Sequence, residues 1–387
     1  MIPYGRQEVT EADIRAVEAV LRSDFLTQGP AVPHFERVVA RTVGARHAVA
    51  MNSATSALHA ACAALGVESG DLVWTSPITF VATANCARYC GAEVDWVDID
   101  PETYNLSPIA LEQKLITAAA GGRLPKVVIP VHLAGQSCDM QRIHALGARF
   151  GFRIIEDASH AIGGSYAGKA VGSCEFSDIT VFSFHPVKII TTGEGGMALT
   201  NDDALAERMA LLRVHGITRD PERMTSDQPD GPWYYEQTTL GYNYRMTDIQ
   251  AALGISQMAR LAGYVEQRNA IADRYDEAFD DLPLTTPHVD GLCTSAFHLY
   301  VIRIQTPDAA RHRALFERLR DAGIGVNLHY IPVYRQPDFV RQCGPHPGLP
   351  EAEAYYASAI SLPMFPTLSE EDLAEVVRVV RREMGKE

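Results

Sequence analysis

Lys126-Val127-Val128-Ile129-Pro130-Val131-His132-Leu133, then Met140-Gln141-Arg142-Ile143-His144-Ala145-Leu146-Gly147-Ala148-Arg149-Phe150, then Arg153-Ile154-Ile155-Glu156: an apolar β-branched run, a helical pattern and a second apolar run follow one another within one short stretch. Strands this apolar on both faces belong inside a sheet covered on both sides, and a helix between two of them implies a parallel crossover. The alternation continues outward. Toward the N-terminus the reading gives a strand His47 to Met51, a helix Ala54 to Leu65, a strand Asp71 to Thr75, a helix Ala82 to Cys90 and a strand Val94 to Ile99. Toward the C-terminus it gives a strand Ile179 to Phe184. The expected core is therefore α/β, a mostly parallel central sheet with helices on both faces.

From Asp220 to Gln237 the chain is polar and rich in breakers and reads as a long loop, of a length that often carries function. Helices resume at Thr247, a candidate N-cap, and a long one spans Gly263 to Phe279. The pattern then changes: strand His298 to Ile304, helix Ala309 to Ala322, strand Gly325 to Ile331, strand Ile360 to Leu362, helix Glu370 to Met384. This predicts a large domain over residues 1–284 and a smaller C-terminal α+β domain over 285–387, a division in keeping with a 387-residue chain.

Composition narrows the function. With 34 basic against 48 acidic residues the formal charge is −14, which disfavours sequence-independent binding to nucleic acid or to an anionic membrane. The opening Met1-Ile2-Pro3-Tyr4-Gly5-Arg6 lacks the apolar centre of a signal peptide and no stretch approaches a membrane span, so a cytoplasmic protein is expected. Seven cysteines without a CxxC pair indicate neither a disulfide framework nor a zinc site, and no metal is expected; Cys86 and Cys90, one helical turn apart, read as buried thiols. No GxGxxG follows an early strand, which disfavours a nicotinamide enzyme.

Four polar stretches fall at strand ends or helix starts, where ligands of open α/β sheets collect. Asn52-Ser53-Ala54-Thr55-Ser56 joins a strand to a helix; its free amides and hydroxyls suit an anion, or it is an ordinary N-cap. Glu156-Asp157-Ala158-Ser159-His160 puts a carboxylate at the end of a buried strand, which is costly unless it meets a cation such as a protonated pyridine nitrogen; otherwise Asp157 caps a helix. His160 is then within reach of a ring hydroxyl. In Ser183-Phe184-His185-Pro186-Val187-Lys188-Ile189-Ile190-Thr191-Thr192-Gly193-Glu194-Gly195-Gly196, a lysine among apolar and small residues is poorly solvated, and more of it is the neutral amine that attacks an aldehyde. Its glycines let the backbone crowd a cofactor, and Ser183 is placed to donate to a phosphate. Gly241-Tyr242-Asn243-Tyr244-Arg245-Met246-Thr247-Asp248 precedes a helix and offers polar groups to its own site or a neighbour's.

The order and separation of these stretches resemble the sugar aminotransferases of the DegT/DnrJ/EryC1/StrS family, of the aspartate-aminotransferase-like fold (fold type I of the pyridoxal-phosphate enzymes). The likeness runs from Leu26-Thr27-Gln28-Gly29-Pro30 to His329-Tyr330-Ile331-Pro332. It implies pyridoxal 5′-phosphate as cofactor, with pyridoxamine 5′-phosphate carrying the amino group between two half-reactions. Lys188 matches the Schiff-base lysine and Asp157 the partner of the ring nitrogen. Ser53, Ala54 and Thr55 with Ser183 match the phosphate cup, which Asn243 of a second subunit completes in a homodimer with shared sites. Phe80, in Pro77-Ile78-Thr79-Phe80-Val81-Ala82, matches the aromatic residue stacked on the ring. Tyr4, Phe25, Leu26 and Thr27, and Asn327, Leu328, His329 and Tyr330 match stretches that contact the nucleotide-linked keto sugar. Arg245 either holds the carboxylate of the amino donor, glutamate, or is a structural ion-pair residue; His185 and His329 either contact sugar or pyrophosphate or are structural. Phrases such as Ser-Pro-Ile-Thr-Phe-Val-Ala-Thr-Ala-Asn (residues 76–85) are similar to members that aminate a UDP-linked 4-keto-6-deoxy sugar. A dehydratase of the same fold lacks the lysine, and a cofactor-sensing regulator needs a DNA-binding module for which the chain has no spare segment.

Overall fold

Seven strands, His47–Met51 (β1), Leu72–Thr75 (β2), Glu93–Trp96 (β3), Val127–Ile129 (β4), Arg153–Asp157 (β5), Ile179–Ser183 (β6) and Gly196–Thr200 (β7), form one sheet in the order β1-β7-β6-β5-β4-β2-β3. The computed structural model describes residues 1–226, 231–305 and 308–385. Pairing is parallel from β6 through β5, β4 and β2 to β3, and β7 runs antiparallel to both of its neighbours. The strands alternate sides as the pleat requires. Val127 and Ile129 pack with the helices Ala54–Ala64, Ala82–Tyr89 and Asp203–Arg213, whereas Val128 and Ile154 pack with Pro108–Ala120 and Met140–Phe150. Both faces are thus covered, which is why β6 and β7 are buried along their whole length.

Local chemistry sets the ends that matter. Pro130 has no amide to donate, and β4 stops at Ile129, short of the expected Leu133. Past it, residues Leu133–Gly135 form a 3₁₀ turn with Ala134 at φ 60°. Ser53 Oγ accepts the Ser56 amide and starts the helix Ala54–Ala64. Thr247 and Gln250 close a capping box on the helix Asp248–Met258, as the Thr247 N-cap signal predicts.

The C-terminal part builds a second sheet, Leu284–Thr285, Tyr300–Ile304 and Ala359–Leu362, all antiparallel, packed against Leu261–Phe279, Ala309–Asp321 and Glu370–Glu383. The N-terminus joins it: Ile2 bridges to Ile324, and the Met364 amide donates to the Tyr4 carbonyl. The strand expected over Gly325 to Ile331 reduces to single bridges at Ile324 and Asn327. Asn327 Oδ1 takes the Leu328 amide and Tyr355 Oη donates to the His329 carbonyl, so side chains replace the ladder there. In the expected loop Asp220 to Gln237, Pro221–Arg223 is a short 3₁₀ turn and Glu236–Gln237 pairs with Ile217–Thr218. Residues 227–230 of that loop lie outside the described residues. Among the described residues no helix is long and apolar enough to cross a membrane.

Candidate active site

β1, β5 and β6 end at one edge of the large sheet, beside a cleft of about 600 Å3. Into it come Lys188, Asp157, the Ser53-Ala54-Thr55 turn, Phe80, His160, Ser183, His185, Tyr4 and the segment Asn327, Leu328, His329, Tyr330.

Lys188 sits on the connection from β6 to β7, which closes on itself. The Phe184 amide donates to the Gly195 carbonyl at 2.9 Å, and the Thr192 amide and Thr191 Oγ1 both donate to the Phe184 carbonyl at 3.0 Å. Phe184, Ile189 and Ile190 are buried and anchor the loop in the core, leaving the half-buried lysine side chain to face the cleft. Burial pushes its ammonium down to about 8, and the opposing pull of the Asp157 charge is the smaller effect.

Asp157 is 5% exposed. Its Oδ2 accepts from Thr83 Oγ1 at 2.6 Å, and its Oδ1 accepts from Ser159 Oγ at 2.6 Å and from the Ser159 amide at 3.1 Å. It forms no ion pair with any described residue, so a buried carboxylate borders the cleft without the cation that its desolvation calls for. A ring nitrogen that carries a proton meets that requirement. At the other strand end, the first-turn amides of the helix Ala54–Ala64 have no intrahelical acceptor and lie at the positive end of its dipole. The Ser56 hydroxyl is spent inside the turn, on Asn52 Oδ1 at 2.6 Å, and is not a free donor to a ligand. Gly196 holds β7 against this turn: a Cβ there would lie 2.4 Å from the Ala54 nitrogen and 2.4 Å from the Ser53 carbonyl carbon. The motif's last glycine therefore makes room for protein backbone and not, as the sequence suggests, for a cofactor. A planar ring with an aldehyde, a protonatable nitrogen and a phosphate fits this donor set: Lys188 for the aldehyde, Asp157 for the nitrogen, the Ala54 and Thr55 amides and Ser183 for the phosphate. Phe80, 59% exposed although apolar, supplies an uncovered face on the cleft wall.

His160 and His329 are neutral. His160 Nδ1 accepts the Ala134 amide at 3.2 Å, so its proton is on Nε2, which donates to Tyr330 Oη at 3.1 Å. Burial first, then the charges of Lys188 and His329, hold His160 well below the usual range; burial first and Lys188 next take His329 down to about 3. His329 lies between Asn327 and Ser361, under the Tyr4 ring at 5.3 Å.

Phe25, Leu26, Thr27, Asn243 and Arg245 do not line this cleft. They collect on another surface: Thr27 bridges to Thr247, the Asp248 amide donates to the Leu26 carbonyl, and Asn52 ties to Tyr244. Phe25 and Leu26 are 53% and 49% exposed. Among the described residues the Arg245 side chain has no hydrogen bond or ion pair within the chain. Sequence reasoning missed Thr83, Ser159, Glu194 and His298. Ser159 is legible, because a serine two residues after an aspartate commonly bonds back to it; Thr83, 74 positions from Asp157, leaves no local signal. His298, its ring tilted 48° to that of His160 at 4.4 Å, enters from the C-terminal part of the chain.

A model of the DegT/DnrJ/EryC1/StrS aminotransferase family matches residues 7–381. The spore coat polysaccharide biosynthesis protein SpsC of Bacillus subtilis is 40% identical over 98% of this chain and 96% of its own. The UDP-4-amino-4,6-dideoxy-N-acetyl-β-L-altrosamine transaminase of Campylobacter jejuni is 37% identical over 96% of this chain and 94% of its own. Among solved structures, Helicobacter pylori PseC, an aminotransferase involved in the biosynthesis of pseudaminic acid, superposes with a TM-score of 0.91 at 32% identity, covering 99% of each chain.

Proposed function

Because this chain belongs to the DegT/DnrJ/EryC1/StrS aminotransferase family, we propose that it is a pyridoxal 5′-phosphate enzyme that moves the amino group of glutamate to the 4-keto carbon of a nucleotide-linked deoxysugar. The acceptor in this reading is UDP-2-acetamido-2,6-dideoxy-β-L-arabino-hex-4-ulose and the product UDP-4-amino-4,6-dideoxy-N-acetyl-β-L-altrosamine, on the route to pseudaminic acid. The observation that carries the aminotransferase reading is the pairing, across one cleft, of a lysine depressed to about 8 with a buried carboxylate that has no ion-pair partner among the described residues. The likeness to the Campylobacter and Helicobacter proteins supports the finer substrate.

When bound, pyridoxal 5′-phosphate supplies an aldehyde that takes up the donor's amine and a protonated ring that accepts the electron pair freed as the donor's α C–H bond breaks. Asp157 would hold the proton on the ring nitrogen, and Thr83 and Ser159 orient the Asp157 carboxylate by hydrogen bonds to its two oxygens. The Ala54 and Thr55 amides and Ser183 Oγ bind the phosphate, and Phe80 covers one ring face. Lys188 Nζ would hold the cofactor through its aldehyde carbon. Once displaced by the donor's amine, it would take the proton from the donor's α-carbon, and it would deliver a proton to the sugar carbon in the reverse sequence. A base near 8 is matched to both tasks. Phe25, Leu26, Asn243 and Arg245 act from a second copy in this reading: their exposed apolar and unpaired polar groups suit a two-fold homodimer in which each subunit completes the other's cleft. In this reading the chain divides into two domains near residue 285, and Asn327 to Tyr330 of the smaller one line the cleft beside ligands held by the larger.

Purified protein incubated with glutamate and a panel of UDP-, dTDP- and GDP-linked keto sugars tests the reading, together with borohydride trapping and peptide mapping. Label on Lys188 and turnover of the UDP-linked 4-ulose are expected. Preference for a dTDP or GDP sugar sinks the specific acceptor, and label elsewhere or nowhere sinks the enzyme assignment. Mixing an Asn243 variant with a Lys188 variant tests sharing, because each exchanged dimer then carries one intact site; no regained activity after confirmed exchange rejects it.

A further inference from the structure

The loop that carries Lys188 ends in Gly193-Glu194-Gly195-Gly196, and nothing above uses the glutamate. Its main chain is fixed. The Glu194 carbonyl accepts from Thr192 Oγ1 at 2.7 Å and from Gln250 Nε2 at 2.8 Å. The next residue has no room for a side chain, since a Cβ on Gly195 would lie 2.2 Å from Thr192 Oγ1 and 2.6 Å from Met246 Cε. From this mount the exposed Glu194 side chain borders the cleft, and its carboxylate has neither an ion pair nor a hydrogen bond among the described residues.

A carboxylate offers acceptor lone pairs and a negative charge. Phosphate, pyrophosphate and the donor's carboxylate groups are repelled by it, which leaves the donor's ammonium and the neutral hydroxyl and amide N–H groups of the sugar. The ammonium must reach the aldehyde beside Lys188. Glu194 is exposed where it borders the cleft whereas Lys188 is half-buried, so the carboxylate meets ligands on the solvent side of the cleft and not at the reacting amine. We propose that the Glu194 carboxylate accepts hydrogen bonds from neutral hydroxyl or amide N–H groups of the acceptor sugar and thereby selects which sugar is aminated; the assignment rests on the aminotransferase reading.

The holoenzyme and its Glu194→Gln and Glu194→Ala variants separate the two half-reactions. Glutamate alone, followed by the cofactor's spectral change in a single turnover, reports the first; the KM for the keto sugar reports the second. The glutamate half-reaction is expected to stay within about twofold of the parent. The sugar KM should rise by about tenfold or more in Glu194→Ala, as loss of a hydrogen bond to a charged acceptor implies, and by less in Glu194→Gln, which keeps one acceptor oxygen. An unchanged sugar KM, a loss confined to the glutamate half-reaction, or dissociation of the variants into smaller species overturns the proposal, the last by making Glu194 an interface residue. A parent protein with no response to glutamate at all shows instead that the aminotransferase reading has failed.

Discussion

Lys188 should capture an aldehyde with a pH dependence that no surface lysine shows. With its ammonium at about 8, roughly one Lys188 in ten is neutral at about pH 7, against about one in three thousand for a side chain at the ordinary lysine value. Adduct formation between cofactor-free protein and excess pyridoxal 5′-phosphate, followed by rapid-mixing absorbance with borohydride trapping to fix the site, should therefore be about 300-fold faster than at an exposed lysine. The rate should rise about tenfold per pH unit and bend near pH 8. Asp157 is the charge that holds the value up against burial, so Asp157→Asn should move the bend to lower pH. Stability follows the same sign. The folded value lies below the unfolded one, so the folded state binds fewer protons between about pH 8 and the ordinary lysine value; the Lys188 penalty is present in full below that window and vanishes above it. The stability gained by Lys188→Met in the cofactor-free protein should accordingly shrink as the pH is raised through the window. A bend in the capture rate near pH 10, or one that moves upward in Asp157→Asn, would refute the reasoning that desolvation dominates this lysine.

Gly196→Ala sets a methyl 2.4 Å from backbone atoms of the phosphate turn; overpacking of this kind costs about 1–3 kcal/mol, and a cofactor titration should show affinity reduced by about tenfold, with a lower melting temperature in the cofactor-free protein. Thr83→Val removes the donor to Asp157 Oδ2, a bond to a charged group worth about 1.5–3 kcal/mol; steady-state kinetics should show kcat lowered by about tenfold or more, whereas unchanged kcat and cofactor affinity would mean that Thr83 does not hold the carboxylate. His132→Ala strands Glu156, buried and bonded to His132 at 2.6 Å, at a cost of about 3–5 kcal/mol in a denaturant titration. Burial alone would raise Glu156, but the His132 bond and charge, then Ser177 and Thr180, bring it net below the usual glutamate value. That stabilisation is present above the unfolded value and lost as the pH falls through the folded one, so the acid limb of the stability curve should be steeper in the parent than in His132→Ala.

The sheet was legible because burial on both faces writes itself as β-branched stretches: Val127-Val128-Ile129 in β4, Ile154-Ile155 in β5 and Ile179-Thr180-Val181 in β6. Where the signal fails, a local competitor explains it. In residues 325–331 the ladder stops after the Asn327–Ser361 pair, where Asn327 Oδ1 takes the Leu328 amide and Tyr355 Oη donates to the His329 carbonyl, and the segment lines the cleft. β7 goes unread because Gly196-Met197-Ala198-Leu199-Thr200 begins on the second glycine of the pair Gly195-Gly196 and carries little β-branching. It belongs to the sheet through its antiparallel contacts with β1 and β6, which a linear pattern does not encode.

The site divides along the same line. Residues that meet the cleft from strand ends, Asp157, Ser183 and the turn at Ser53, are legible because the topology of an open sheet fixes where strand ends go. Residues that tune them are not, since Thr83, Ala134 and His298 reach Asp157 and His160 across long sequence separations. His160 shows the consequence. Its sequence position suggests a group free to meet a ring hydroxyl, but an amide from Ala134 on one nitrogen and Tyr330 on the other commit both. Because His160 can only donate to Tyr330, the phenol keeps its own proton for another acceptor. Tyr330, contributed by the C-terminal part of the chain, is thereby a hydrogen-bond donor on the cleft wall, and its orientation is set by a histidine that the large sheet supplies.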